Sequence, residues 1–131
     1  MTTRPPGAPR AVADEHNPRS PRLWWRWAFG VALAAQLIAV YAPDGPGAPE
    51  ITGLDKVIHL SIFAAPALAA LMMGVRARWA LGILAVHAPV SELIQHFVLP
   101  HRDGDVFDVV ADLSGVVLGG LAYVVWNRRQ H

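Results

Sequence analysis

The stretch "VFDVVADLSGVVLGGLAYVVW", Val106 to Trp126, decides the fold. It is apolar over a length close to the ~20 residues with which a helix, rising 1.5 Å per residue, crosses a ~30 Å hydrocarbon core. Its two charged residues, Asp108 and Asp112, are spaced i, i+4 and so share one helix face. The same stripe continues through Gly115 and Gly119, a G-x-x-x-G whose simplest reading is a close-packing face against another helix of the same chain. Carboxylates facing lipid cost several kcal/mol, so this face should turn toward protein.

Three more apolar runs of spanning length precede it: Leu23 to Tyr41, Val57 to Val75 and Trp79 to Leu99. In lipid a helix satisfies its own backbone hydrogen bonds, and no strand-like alternation is long enough for a barrel. The connections are a Pro/Gly loop (Ala42 to Lys56), a basic turn (Arg76 to Arg78) and a polar turn containing Asp-Gly (Pro100 to Asp105). Short turns make antiparallel neighbours. The expected fold class is therefore all-α: four transmembrane helices in an antiparallel up-down bundle, spanning residues 23–127. Trp24, Trp25, Trp27, Tyr41, Trp79, Tyr123 and Trp126 lie near span ends, where aromatic belts form.

Composition agrees. Of 131 residues, 53% are hydrophobic, and the mean hydropathy is +0.33, on the membrane-protein side of zero. Cysteine is absent, which excludes disulfides, thiol chemistry and cysteine zinc sites. Residues 1–22 hold five prolines and few apolar anchors, and read as a disordered, solvated tail rather than a nucleic-acid-binding arm.

Charge is segregated along the chain. Nine of the eleven Lys and Arg residues (Arg4, Arg10, Arg19, Arg22, Arg26, Arg76, Arg78, Arg128 and Arg129) fall on one side of the expected membrane. Only Lys56 and Arg102 fall on the other, together with eight of the ten acidic residues. The positive-inside rule places both termini in the cytoplasm of a multi-pass cell-membrane protein. "VYA" at Val40 to Ala42 would suit a signal-peptide cleavage site, but the basic region is long and the apolar run exceeds a usual signal core.

Polar groups converge at the outer end. Asp55 and His59 are i, i+4 if their helix extends back that far, Glu92 and Gln95 are i, i+3, and Asp108 and Asp112 are i, i+4. Counting the rise from the span ends, Glu92 lies about 10 Å deep, Asp112 about 9 Å and His59 about 3 Å, so one pocket can hold them, with Arg102 just above. Either some of these carboxylates keep a proton or a cation sits among them. The plainer reading is a buried ion-pair network joining four helices. His87, further in, reads as a hydrogen-bonded interior histidine; His96 and His101 read as interfacial.

In order and spacing, Asp55-Lys56-x-x-His59, Glu92-x-x-Gln95, Pro100-x-Arg102 and Asp108-x-x-x-Asp112-x-x-Gly115-x-x-x-Gly119 resemble the VanZ-like family of bacterial membrane proteins, over about Gly53 to Gly120. Ser114 stands where that family often has Asn. The family takes its name from a protein associated with teicoplanin resistance, and the resemblance implies a four-span cell-envelope protein with glycopeptide resistance as one context.

Three functions compete. In the first, the site receives an envelope ligand such as a lipid-linked precursor. His59, Glu92 and Asp112 would do the acid–base work, while Asp55, Lys56, Gln95, Arg102 and Asp108 would bind the ligand. No cofactor is required, although a divalent cation on Glu92, Asp108 and Asp112 would suit carboxylate donors. The second is a proton or cation pathway. The third is a non-catalytic scaffold. In each, the bilayer is the first partner and nucleic acid is not one.

Overall fold

The computed structural model describes residues 20–42, 53–99 and 104–130. Arg102 lies outside them, as do the tail up to residue 19 and most of the Pro/Gly loop. The described chain is entirely helical: α1 (Ser20–Tyr41), α2 (Leu54–Met72), α3 (Ala77–Val98) and α4 (Val106–Arg128). All four are long and apolar enough to cross a membrane. The chain is a multi-pass integral membrane protein.

The boundaries differ from the hydropathy reading mainly in α2, which starts at Leu54 rather than Val57 and ends at Met72 rather than Val75. The early start puts Asp55 and Lys56 inside the helix, on the turn before His59. The early stop has a local cause. Gly74 adopts φ +95°, the Val75 amide bonds the Ala70 carbonyl and the Gly74 amide bonds the Leu71 carbonyl, which together form a Schellman cap. Val75 packs on the Ala70, Leu71 and Ala80 cluster, supplying the hydrophobic contact of that motif. Gly74→Ala should cost about 1 kcal/mol or more, because only glycine holds a positive φ cheaply, and thermal unfolding in detergent would register the loss.

The bundle is inside out relative to a water-soluble one. Gln36, Ser91, Glu92, Gln95, Asp108 and Asp112 are buried, whereas Phe97 and Val106 are 77% and 76% exposed and Trp24, Trp27 and Phe107 also face outward. Such an apolar exterior requires lipid around it. The apolar core consists largely of small residues, with Ala67, Ala69, Ala70, Ala80 and Ala88 packed around Phe63, Leu71, Leu84 and Val116. Lipid tails are as apolar as leucine, so helices here gain by close backbone approach rather than by large side chains.

Helix α2 is the hub: it touches α1, α3 and α4, whereas the backbones of α1 and α4 do not approach closely among the described residues. Its most extensive contact is with α4, and the two run parallel, since Gly115 sits on Leu60 and Ala64 while Gly119 sits on Ala64, Ala67 and Leu68. Helix α3 runs antiparallel to both, and α1 runs antiparallel to α2, with Val40 near Phe63 at one end and Phe29 near Leu71 at the other. The alternation matches the up-down expectation. The dominance of α2 with α4, which are not consecutive, comes from the two glycines.

Candidate functional site

Residues near the N-termini of α2 and α4 and in the last third of α3 meet at one end of the bundle. On α4, Asp105 caps the helix, its carboxylate accepting the Phe107 amide at 2.9 Å. That cap aims Asp108 and Asp112, one and two turns on, into the bundle, where both are buried. On α3, Ser91, Glu92 and Gln95 occupy one buried stripe, and the Ser91 hydroxyl turns back to the Ala88 carbonyl at 2.8 Å. On α2, Lys56 and His59 face α4.

Two linked centres result. At the outer one, the Lys56 ammonium donates to Asp108 Oδ1 at 2.6 Å, Asp105 Oδ2 at 2.7 Å and Asp55 Oδ2 at 3.0 Å. An ammonium has three donors, and here each meets a carboxylate. The Lys56 contact, followed by the Phe107 amide, holds the Asp105 carboxyl below the usual carboxylate range. At the inner centre, His59 Nδ1 lies 2.9 Å from Asp112 Oδ1 and 3.9 Å from Glu92 Oε1. His59 Nε2 lies 4.0 Å from Asp108 Oδ2, which joins the two centres. The other Glu92 oxygen, Oε2, accepts the Asp105 backbone amide at 3.0 Å, so the α4 cap residue also orients the α3 carboxylate.

The inner centre is nearly dry. The side chains of Asp112, Glu92 and His59 are 0%, 6% and 12% exposed. Asp112 Oδ2, Glu92 Oε1 and Gln95 Nε2 are buried with no hydrogen-bond partner among the described residues. Buried polar atoms without partners are rare and costly, and three of them lie in this cluster.

A second polar layer lies deeper. His87 Nε2 meets the Tyr41 hydroxyl at 2.9 Å, Gln36 Nε2 approaches His87 Nδ1 at 3.4 Å, and Phe63 stacks on the imidazole with centroids 5.6 Å apart. If the Gln36 amide donates to Nδ1, then Nε2 carries the ring proton and donates to the Tyr41 oxygen, so a neutral histidine has both ring nitrogens paired, while Gln36 Oε1 stays buried without a partner among the described residues.

The sequence-predicted site residues divide clearly. The structure brings together Asp55, Lys56, His59, Glu92, Asp108 and Asp112. Gln95 is buried on the Glu92 stripe, and Gly115 and Gly119 pack α4 on α2. Arg102 falls outside the described residues. Within the carboxylate set read as a possible cation site, the structure pairs Asp108 with Lys56 and puts His59 beside Glu92 and Asp112 instead. Asp105 was missed, although its signal was present: an Asp followed three residues later by an acidic residue, just ahead of an apolar run, is a helix-start pattern. Tyr41, read as a belt aromatic, is the partner of His87.

The class defined by this fold and site is an integral membrane protein of four helices with a buried His/Glu/Asp cluster toward one end. Comparison of the chain with family models, curated proteins and solved structures gives no match.

Proposed function

We propose that this chain is a VanZ-like envelope protein whose inner centre, His59 with Glu92 and Asp112, engages the polar part of an envelope ligand at the outer leaflet. The observation that carries this reading is the pair of unpartnered, buried carboxylate oxygens held beside one histidine by three different helices. A network serving only to join helices would be expected to close on itself; this one leaves acceptors free at its centre. Lys56, with three carboxylates around it, fixes the N-terminus of α4 rather than taking up an anion, so the ligand group at this end is cationic or a hydrogen-bond donor. The nine-to-two charge asymmetry supports placing this end outward, with both termini cytoplasmic, while glycopeptide resistance as one setting rests on the resemblance alone. A relay across the bilayer is less well supported: beyond His87, the described core is Ala69, Ala70, Leu71 and Ala80.

The test is a set of near-isosteric variants, Glu92→Gln and Asp112→Asn, with His59→Ala, expressed in a bacterial host. Membrane level, teicoplanin susceptibility and retention of lipid-linked precursor by the purified protein in nanodiscs would be measured. Wild-type chain should retain precursor and shift susceptibility, and each variant should lose both at least tenfold while accumulating normally. Variants that accumulate and behave as wild type would sink the reading. A site-directed labelling experiment checks orientation: cysteines introduced at Thr2 and Gln130 should be shielded from impermeant reagent in intact cells.

A further inference from the structure

We propose that His59 Nδ1, one Glu92 oxygen and one Asp112 oxygen form an intramembrane site for a divalent first-row transition-metal ion such as Zn²⁺ or Mn²⁺. The inference deepens the reading above, since it names the group that would occupy the same centre.

Geometry supplies the first argument. The three side chains each offer one donor atom, and these atoms lie within 4.8 Å of one another. Nδ1 to Asp112 Oδ1 is 2.9 Å and Nδ1 to Glu92 Oε1 is 3.9 Å. Donors bound about 2.1 Å from a shared ion sit roughly 3–4 Å apart, so closure needs only small side-chain movement. The donors come from α2, α3 and α4, on regular helices rather than loops, which holds them against collapse.

The unpartnered atoms supply an independent argument. Glu92 is 5% exposed and Asp112 is fully buried, yet Glu92 Oε1 and Asp112 Oδ2 find no donor among the described residues. A cation between the side chains would satisfy both carboxylates at once. Charge points the same way. With Lys56 already matched by three carboxylates, two carboxylates remain against one imidazole. A shared proton leaves that inner group net negative in a low-dielectric setting, whereas a divalent ion with neutral His59 brings it to zero.

The surrounding groups resemble the outer shell of a metal centre. With Nδ1 on the ion, Nε2 carries the proton and faces Asp108 Oδ2, 4.0 Å away, a carboxylate itself fixed by Lys56. Such a carboxylate–histidine–metal arrangement sets the tautomer and raises ligand basicity. The Asp105 amide does the same for Glu92 through Oε2. Three protein donors leave coordination positions open for solvent or ligand, as in reactive rather than purely structural centres. An imidazole among the donors selects borderline transition ions over Mg²⁺ or Ca²⁺, which favour all-oxygen sites.

The test uses the full chain purified in nanodiscs, stripped with chelator and titrated with Mn²⁺ under electron paramagnetic resonance, with Zn²⁺ as competitor. One Mn²⁺ per chain should bind and Zn²⁺ should displace it, while millimolar Mg²⁺ should not. Zn²⁺ should also raise the thermal unfolding temperature of the wild-type protein. Asp112→Asn, Glu92→Gln and His59→Ala should each weaken binding by more than the roughly 10–100-fold typical of an outer-shell change. Asp108→Asn should fall within that range, and His96→Ala, exposed and outside the cluster, should bind as wild type. Absence of Mn²⁺ and Zn²⁺ binding to the wild-type protein, equal competition by Mg²⁺, or binding indifferent to Asp112→Asn would overturn the proposal. None of these readouts requires the envelope ligand. Loss of precursor retention in the same variants without metal binding therefore removes the metal and leaves the ligand site standing.

Discussion

Gly115→Leu should abolish the folded bundle. Even a methyl group added at Gly115 would overlap the Leu60 carbonyl oxygen and come within 3.1 Å of the Ala64 amide nitrogen, and both obstacles are backbone. Overpacking against movable side chains costs about 1–3 kcal/mol; against a neighbouring helix backbone the relief is to separate the helices, so the loss should exceed that range. Gly119→Leu should act in the same direction, since an added Cβ there meets the Ala64 carbonyl oxygen at 2.5 Å and Ala67 Cβ at 2.8 Å. Gly82, which has open space around it, is the control, and its replacement by alanine should stabilise the protein by up to about 1 kcal/mol, the usual helix-propensity difference. Size-exclusion profiles and thermal unfolding in detergent would report all three, and a stable, monodisperse Gly115→Leu protein would contradict the described α2–α4 seam.

Lys56→Met should produce the second largest loss. It removes the single ammonium that meets Asp55, Asp105 and Asp108 and leaves Asp108, whose side chain is 12% exposed, without its 2.6 Å partner. Breaking a fully buried pair costs about 3–5 kcal/mol, but Lys56, Asp55 and Asp105 are each roughly a third exposed, and solvent screening brings the expected loss to about 2 kcal/mol. The pH dependence gives an independent check. The Asp105 carboxyl is held below its ordinary value in the folded protein by the Lys56 contact, so its contribution is fully present above about pH 4 and fades as pH falls through the depressed value. In Lys56→Met that depression loses its main cause and the acid limb of the stability curve should flatten. Parallel acid limbs in the two proteins would show that the contact has no energetic weight.

How far these features were legible from sequence depends on which force placed them. Four apolar runs of spanning length report directly on the bilayer, so the helices and their alternating directions could be read in advance. The shared depth of Glu92 and Asp112 followed from helical rise alone, while His59 was placed nearer the surface because its helix begins three residues earlier than hydropathy suggests, and the stripe of Asp108, Asp112, Gly115 and Gly119 marked the inward face of α4. What could not be read was choice among partners. Asp108 and His59 were equally plausible neighbours for Glu92 and Asp112. The decision rested on Lys56, whose reach depends on α2 starting three residues earlier than hydropathy suggests. Helices that follow one another across a short turn were expected to be the main neighbours, yet α2 packs less on α3 than on α4, because glycine pairs permit a backbone approach that turn length does not reveal. Tyr41 has the composition and position of an interfacial aromatic, and nothing in a one-dimensional pattern turns its hydroxyl toward His87.

The parallel seam between α2 and α4 has a consequence for how the protein is made. During synthesis α2 leaves the ribosome long before α4, and two turns and a full helix must follow before Gly115 can reach Leu60. Until then Lys56 and His59 lack Asp105, Asp108 and Asp112, so a nascent chain halted before Asp105 holds two basic side chains with three of their five acidic partners still untranslated. Insertion machinery or neighbouring lipid head groups must shelter them in that interval, and the last helix to arrive is the one that makes the earlier ones acceptable to the bilayer.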